Sequence, residues 1–186
     1  GEIALDGRTV SSATVHVPTK ARNLGMVFQS YALWPHMSVF ENVAFALDVA
    51  GIAPKVRRAR VEQALETVGL GALAERRPAD LSGGQRQRVA LARTLAARAR
   101  IILLDEPLAN LDANLRESMQ EEFRRLHRET GATMVFVTHD QAEALALADQ
   151  VAVMMEGQLR QIATPRALYD CPADADVARF IGRGAI

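Results

Sequence analysis

The chain has 186 residues, 22 Lys and Arg against 22 Asp and Glu, and 49% hydrophobic residues. That apolar fraction builds a core and excludes general disorder, and the balanced charge offers no basic stripe for a nucleic acid, so no nucleic-acid partner is expected. The longest apolar stretches fall far short of the roughly 20 residues that span a bilayer, and the start of the sequence has neither a basic region nor a signal-type apolar core, so any membrane role is peripheral and runs through a partner. The only cysteine, Cys171, has no second thiol to bridge to, which fits a reducing compartment.

Residues 2–5 alternate polar and apolar, and Asp6-Gly7 is a turn signal, so the chain opens with short strands. Residues 24–28 form a second apolar run, ended by Gln29 and Ser30. Helical periodicity follows over about 39–73: Val43, Phe45, Ala46, Leu47 and Ala50 are densely apolar, Gly51 and Pro54 interrupt, and Val61, Ala64, Leu65 and Val68 recur at helical spacing up to Gly69. From Leu81 onward helices alternate with strands. Helices are predicted over 85–98, 114–130 (stopped by Gly131) and 141–148, and strands over 101–104, 133–137 and 151–155. Buried strands alternating with helices indicate a parallel sheet with helices on its faces, and the stretch between 39 and 73 a separate helical lobe.

Ligands of open parallel sheets bind beyond the carboxyl ends of the strands. Gln29, Asp105, Glu106 and His139 each sit at or just after such an end, so strand topology brings them to one rim. Ile101-Ile102-Leu103-Leu104 suits a central strand buried on both faces, and two acids directly after it are costly unless they serve a cation or a proton transfer. In a nucleotide triphosphatase the first acid supports magnesium and the second polarises the attacking water. Leu81-Ser82-Gly83-Gly84-Gln85 places a good N-cap, Ser82, before a helix, and its glycines leave backbone N–H groups open to a phosphate at the positive end of that helix. Taken singly, each has a plainer reading: a solvated Glu106, an ordinary capping loop at Ser82, a structural His139, a solvated Gln29, and Asp112 as the cap of the next helix.

The ordered set is similar to the ATP-binding-cassette (ABC) ATPases. Residues 81–85 resemble their signature motif, 101–106 their Walker B strand, Gln29 the glutamine of the Q-loop, Asn110-Leu111-Asp112 the D-loop and His139 the switch histidine. Residues 29–39 and the run from Thr138 through Ala144 resemble bacterial importer ATPases for sugars, polyamines and ferric iron. The resemblance implies an α/β fold, a P-loop NTPase-like ABC core with an inserted helical subdomain. It implies partial N-terminal core strands and the Q-loop over 1–37, the helical subdomain over 38–80, the core from signature motif to switch histidine over 81–164, and C-terminal helices over 165–186. It also implies ATP and Mg²⁺ as ligands. Glu106 would be the general base, and Gln29 would contact magnesium and the attacking water. Asp105 would support magnesium, and His139 would touch the γ-phosphate. Ser82, Gly83, Gly84 and Gln85 would bind the γ-phosphate of ATP held by a second ATPase subunit, with Asp112 crossing that interface. The implied partners are that second subunit, transmembrane permease subunits and, indirectly, an extracytoplasmic solute-binding protein. The implied location is peripheral, on the cytoplasmic face of the bacterial inner membrane. The apolar stretch at Tyr31, Leu33, Trp34, Pro35 and Met37 is expected to receive the permease, or else to pack the lobe onto the core.

A phosphate loop reads Gly-x-x-x-x-Gly-Lys-Ser/Thr. The two lysines here, Lys20 and Lys55, do not follow a glycine, so the Walker A portion is missing from the sequence. The expectation is therefore that the chain begins after that loop and is inactive alone, because phosphoryl transfer rests on positioning and electrostatics that the loop supplies. Two alternatives stand beside the importer subunit: a non-catalytic remnant, and a soluble ABC ATPase of the repair or translation type.

Overall fold

The computed structural model describes residues 1–109 and 111–182; Asn110 of the D-loop stretch lies outside the described residues. Two strands, β1 (Ile3–Leu5) and β2 (Arg8–Ser11), form an antiparallel hairpin around Asp6-Gly7, where both residues take a positive φ. Three strands, β3 (Leu24–Val27), β4 (Ile101–Asp105) and β5 (Thr133–Val137), form a parallel sheet in the order β3-β4-β5. Two rows cross it in register: Gly25, Ile102 and Met134, then Val27, Leu104 and Phe136.

Those two rows face the core. Val27, Ile102 and Leu104 are buried with Ala90 and Leu91 of α3 (Gly83–Ala96) and with Met119, Phe123 and Leu126 of α4 (Ala113–Thr130). The Phe123 ring meets Phe136 edge-on, with centroids 5.2 Å apart. Gly25 is required by this packing, since a Cβ there would lie 2.8 Å from Thr94 Cβ on α3. In the opposite rows Met26, Val135 and Val137 of the outer strands are exposed, while Leu24, Ile101 and Leu103 are half-buried. The central strand β4, expected to be buried on both faces, is buried on one and half-buried on the other. Helices α3 and α4 cover the buried face.

Between β3 and β4 lie α1 (Val39–Val49), α2 (Pro54–Thr67) and α3. Ser38 and Glu41 make a reciprocal capping box that starts α1, and Pro54 opens α2 at a position where its missing N–H costs nothing. Val43, Leu47, Val61, Leu65, Val89 and Ala92 share a second apolar cluster. Because Val89 and Ala92 are on α3, that helix belongs to both clusters and joins the helical lobe to the sheet. Its observed start at Gly83, rather than 85, follows from the Ser82 cap.

Helix α5 (Gln141–Leu147) follows β5, and Asp140 caps it through Ala142 and Glu143 N–H groups. The strand over 151–155 does not continue the parallel sheet. As β6 (Val151–Met155) it pairs antiparallel with β7 (Gln158–Ala163), a strand absent from the sequence reading because its side chains alternate too weakly. The tight turn at Glu156-Gly157, both at positive φ, sets this hairpin. Helices α6 (Pro165–Asp170) and α7 (Ala175–Gly182) close a third cluster around Val153, Leu168, Val177 and Ile181. Among the described residues no helix is long and apolar enough to cross a membrane.

Candidate functional site

Each strand of the parallel sheet ends in a polar residue at the same rim. Gln29 follows β3, Glu106 follows β4 and His139 follows β5. The Glu106 N–H bonds to Val137 O at 2.8 Å, tying the end of β4 to the end of β5. Glu106 itself takes φ +44, a left-handed conformation uncommon for residues other than glycine. Its carboxylate joins the other two side chains: Gln29 Nε2 donates to Oε2 at 3.0 Å, and His139 Nδ1 lies 3.0 Å from Oε1. Residues far apart in the chain thus meet on one carboxylate.

The Glu106 carboxylate, first by the hydrogen bond and then by its charge, pushes the exposed His139 imidazole above its ordinary pKa, and Glu143 and Asp140 add in the same direction. The protonated ring then donates from Nδ1. A group whose folded pKa is raised stabilises fully below its unfolded value, and that contribution fades as pH rises through the folded one. In an NMR titration of the chain His139 is expected to titrate above the reference of about 6.5, and in Glu106→Gln to move back toward it. A His139 midpoint indifferent to that substitution would show that the two groups are uncoupled in solution.

Asp105 ends β4, half-buried, and its carboxylate makes no hydrogen bond to the described residues. Gln29 Oε1 is likewise without a protein donor among them, because only its Nε2 is engaged. These are hard oxygen donors of the kind magnesium takes, in too small a number to cage it unaided. No three His, Cys, Asp or Glu among the described residues converge as a metal site.

The signature-like turn stands at the start of α3. Ser82 Oγ accepts from Gln85 N–H at 3.3 Å, and Gln85 Oε1 accepts from Ser82 N–H at 2.9 Å. This box leaves the first N–H groups of α3 as the orphan donors of a helix N-terminus. Gly84 has a second reason: a Cβ there would lie 2.8 Å from Leu115 Cδ1 of α4, so the leucine side chain would have to shift to admit one. Asp112 caps α4, its Oδ1 accepting from Leu115 N–H at 2.9 Å. The structure thus brings Gln29, Glu106 and His139 together, places Asp105 beside them, and seats Ser82, Gly83, Gly84, Gln85 and Asp112 at two helix starts.

Two polar residues that hold the bend after Gln29 were not visible in sequence. Asn42 is fully buried and knits the Trp34–Ser38 bend to α1. It accepts from Trp34 N–H at 2.8 Å and donates to the carbonyls of Trp34, Met37 and Ser38. Arg93 reaches from α3 to the carbonyls of Tyr31 and Ala32, which take φ of +63 and +46. Left-handed conformation in such residues costs about 1–2 kcal/mol each. The nearest signals were the polar Asn42 on an otherwise apolar helix face and an arginine amid Leu91, Ala92 and Leu95. Trp34 is half-buried, its ring 4.2 Å from that of Phe45, so part of it packs the bend onto α1.

The family described as ABC transporter matches residues 1–109. The chain is 50% identical over its whole length to the sn-glycerol-3-phosphate import ATP-binding protein UgpC 1 of Rhizobium johnstonii, covering 49% of that relative. It is 52% identical over 98% of its length to the spermidine/putrescine import ATP-binding protein PotA of Pseudomonas fluorescens, covering 49% of it. It is 54% identical over 89% of its length to the maltose/maltodextrin import ATP-binding protein MalK of Salmonella typhimurium, covering 45% of it. The chain therefore spans about half the length of the curated relatives it matches.

Proposed function

Because the chain belongs to the ABC transporter family, we propose that it is part of the ATP-hydrolysing subunit of a bacterial solute importer, with Mg-ATP turned over at the rim of β3, β4 and β5. The observation that carries this reading is the Glu106 carboxylate, engaged at 3.0 Å by both Gln29 and His139. The names of its relatives, all import ATP-binding proteins, point the same way.

In this reading Glu106 takes a proton from water as the water oxygen bonds to the γ-phosphorus and the bond from that phosphorus to the ADP oxygen breaks. Gln29 fixes one carboxylate oxygen through its Nε2 and turns Oε1 toward water or the cation. His139, its pKa raised by Glu106, faces the γ-phosphate oxygens and in its protonated form presents positive charge to them. Asp105 and Gln29 would hold magnesium, largely through water, and bound magnesium neutralises charge on the phosphate oxygens. The open N–H groups of Gly83 and Gly84 and the Ser82 hydroxyl, with Gln85 bracing the turn, serve the γ-phosphate of a nucleotide on a second ATPase subunit. Asp112 borders that interface while capping α4. Permease subunits dock against the Tyr31–Met37 bend, a solute-binding protein acts through them, and the subunit works peripherally on the cytoplasmic face of the inner membrane.

The test is phosphate release from Mg-ATP by a complete ATPase subunit that carries these residues with a phosphate loop. Steady release is expected, and chelation of magnesium is expected to stop it. A complete, folded subunit that released no phosphate would overturn the reading.

A further inference from the structure

Arg93 lies about three helical turns from Ser82 along α3. Its Nη1 donates to Ala32 O at 2.8 Å and its Nη2 to Tyr31 O at 3.1 Å, while its guanidinium carbon sits 5.5 Å from the centre of the Trp34 ring. Burial lowers the pKa of this guanidinium, yet no carboxylate pairs with it among the described residues. Its partners are two carbonyls and a ring, all in one short bend.

That bend connects the candidate site to the helical lobe. At its start Gln29 donates to Glu106. Tyr31 and Ala32 follow in succession at positive φ. At its far side Trp34 exchanges bonds with Asn42 of α1 and packs on Phe45. Two successive left-handed residues persist only where their surroundings over-determine them, and the two Arg93 bonds supply that constraint. The helix carrying Arg93 begins at the Ser82–Gly84 turn, so one side chain joins the bend, and through it Gln29, to the signature-like turn.

We propose that Arg93 is a positioning residue that locks the 31–34 bend to α3, so that a displacement of the bend by a membrane partner reaches the Gln29–Glu106 pair and the Ser82–Gly84 turn as one rigid movement. The proposal rests on the importer-ATPase reading above. It requires the planar fork of arginine. A lysine ammonium carries the same charge but cannot serve two adjacent carbonyls and lie over the ring in one plane.

The experiment compares wild type, Arg93→Lys and Arg93→Gln in the complete subunit. It reads phosphate release with and without the permease subunits in proteoliposomes, together with the melting temperature. In both variants the unstimulated rate and KM for ATP are expected within about threefold of wild type, and stimulation by the permease is expected to fall about tenfold, the size of one or two hydrogen bonds made in the working state. Full stimulation in Arg93→Lys would reduce the residue to its charge and overturn the proposal. So would full stimulation in Arg93→Gln, or unstimulated and stimulated rates that fall in proportion with the melting temperature, the mark of a mere brace. A wild-type subunit that releases no phosphate defeats the importer-ATPase reading itself, a result distinct from any of these.

Discussion

Glu106→Gln in a complete ATPase subunit is expected to abolish turnover while ATP still binds, with a loss of about 10²–10⁴-fold, the usual worth of general-base assistance. The amide has nearly the shape of the carboxylate, and the local bonds survive the change. Its oxygen can still accept from Gln29 Nε2, and its NH₂ can donate to a neutral His139 at Nδ1, the two 3.0 Å contacts of the parent. What disappears is an acceptor for the proton of the attacking water and the charge that raises the His139 pKa. The measurement is a single-turnover assay with enzyme in excess, paired with nucleotide binding. A loss under about threefold would show that Glu106 is not the base.

Phe123→Ala is expected to be the most damaging change to stability, costing about 3–5 kcal/mol. The side chain is 1% exposed, packed against the sheet from α4 and edge-on to Phe136 at 5.2 Å. Its removal leaves a ring-sized void between rigid elements and forfeits the aromatic pair. For a chain of this size each kcal/mol moves the melting temperature by roughly 2–4 °C, so a fall of about 6–20 °C is expected in a thermal melt followed by circular dichroism. Phe123→Leu keeps most of the volume and is expected to lose well under half as much. A fall of less than about 3 °C in Phe123→Ala would mean that α4 does not hold the sheet as described.

Much of this arrangement was legible because single elements announce it. Ile101-Ile102-Leu103-Leu104 before Asp105 and Glu106 reads as a strand ending in acids at a rim, and parallel strands bring such ends together. Ser82 and Asp112 are recognisable as caps, and both cap. Other features depended on partners remote in the chain. An apolar run is the same string whether one face or both are covered, so the exposure of Met26, Val135 and Val137 was invisible in sequence. The left-handed turns at Tyr31, Ala32 and Glu106 lack the glycine that normally flags them, because they are held by Arg93 and by the Val137 carbonyl rather than by local preference. Pairing of β6 with β7 followed from the Glu156-Gly157 turn, whereas the apolar character of residues 151–155 alone suited either kind of sheet.

The register of β3 against β4 has a kinetic consequence. Leu24 pairs with Ile101, whereas Ile101 pairs with Thr133 across only α4 and its connections. Closing the longer loop loses more chain entropy before any pairing repays it, and non-local parallel pairing is intrinsically slow. The β4-α4-β5 unit and the helical cluster of α1, α2 and α3 can each form from nearer neighbours, so the arrival of β3 is expected to be a late step of folding. Gln29 travels at the end of that strand. Its bond to Glu106 is therefore expected to close late, with the geometry that the proposed chemistry needs among the last to assemble.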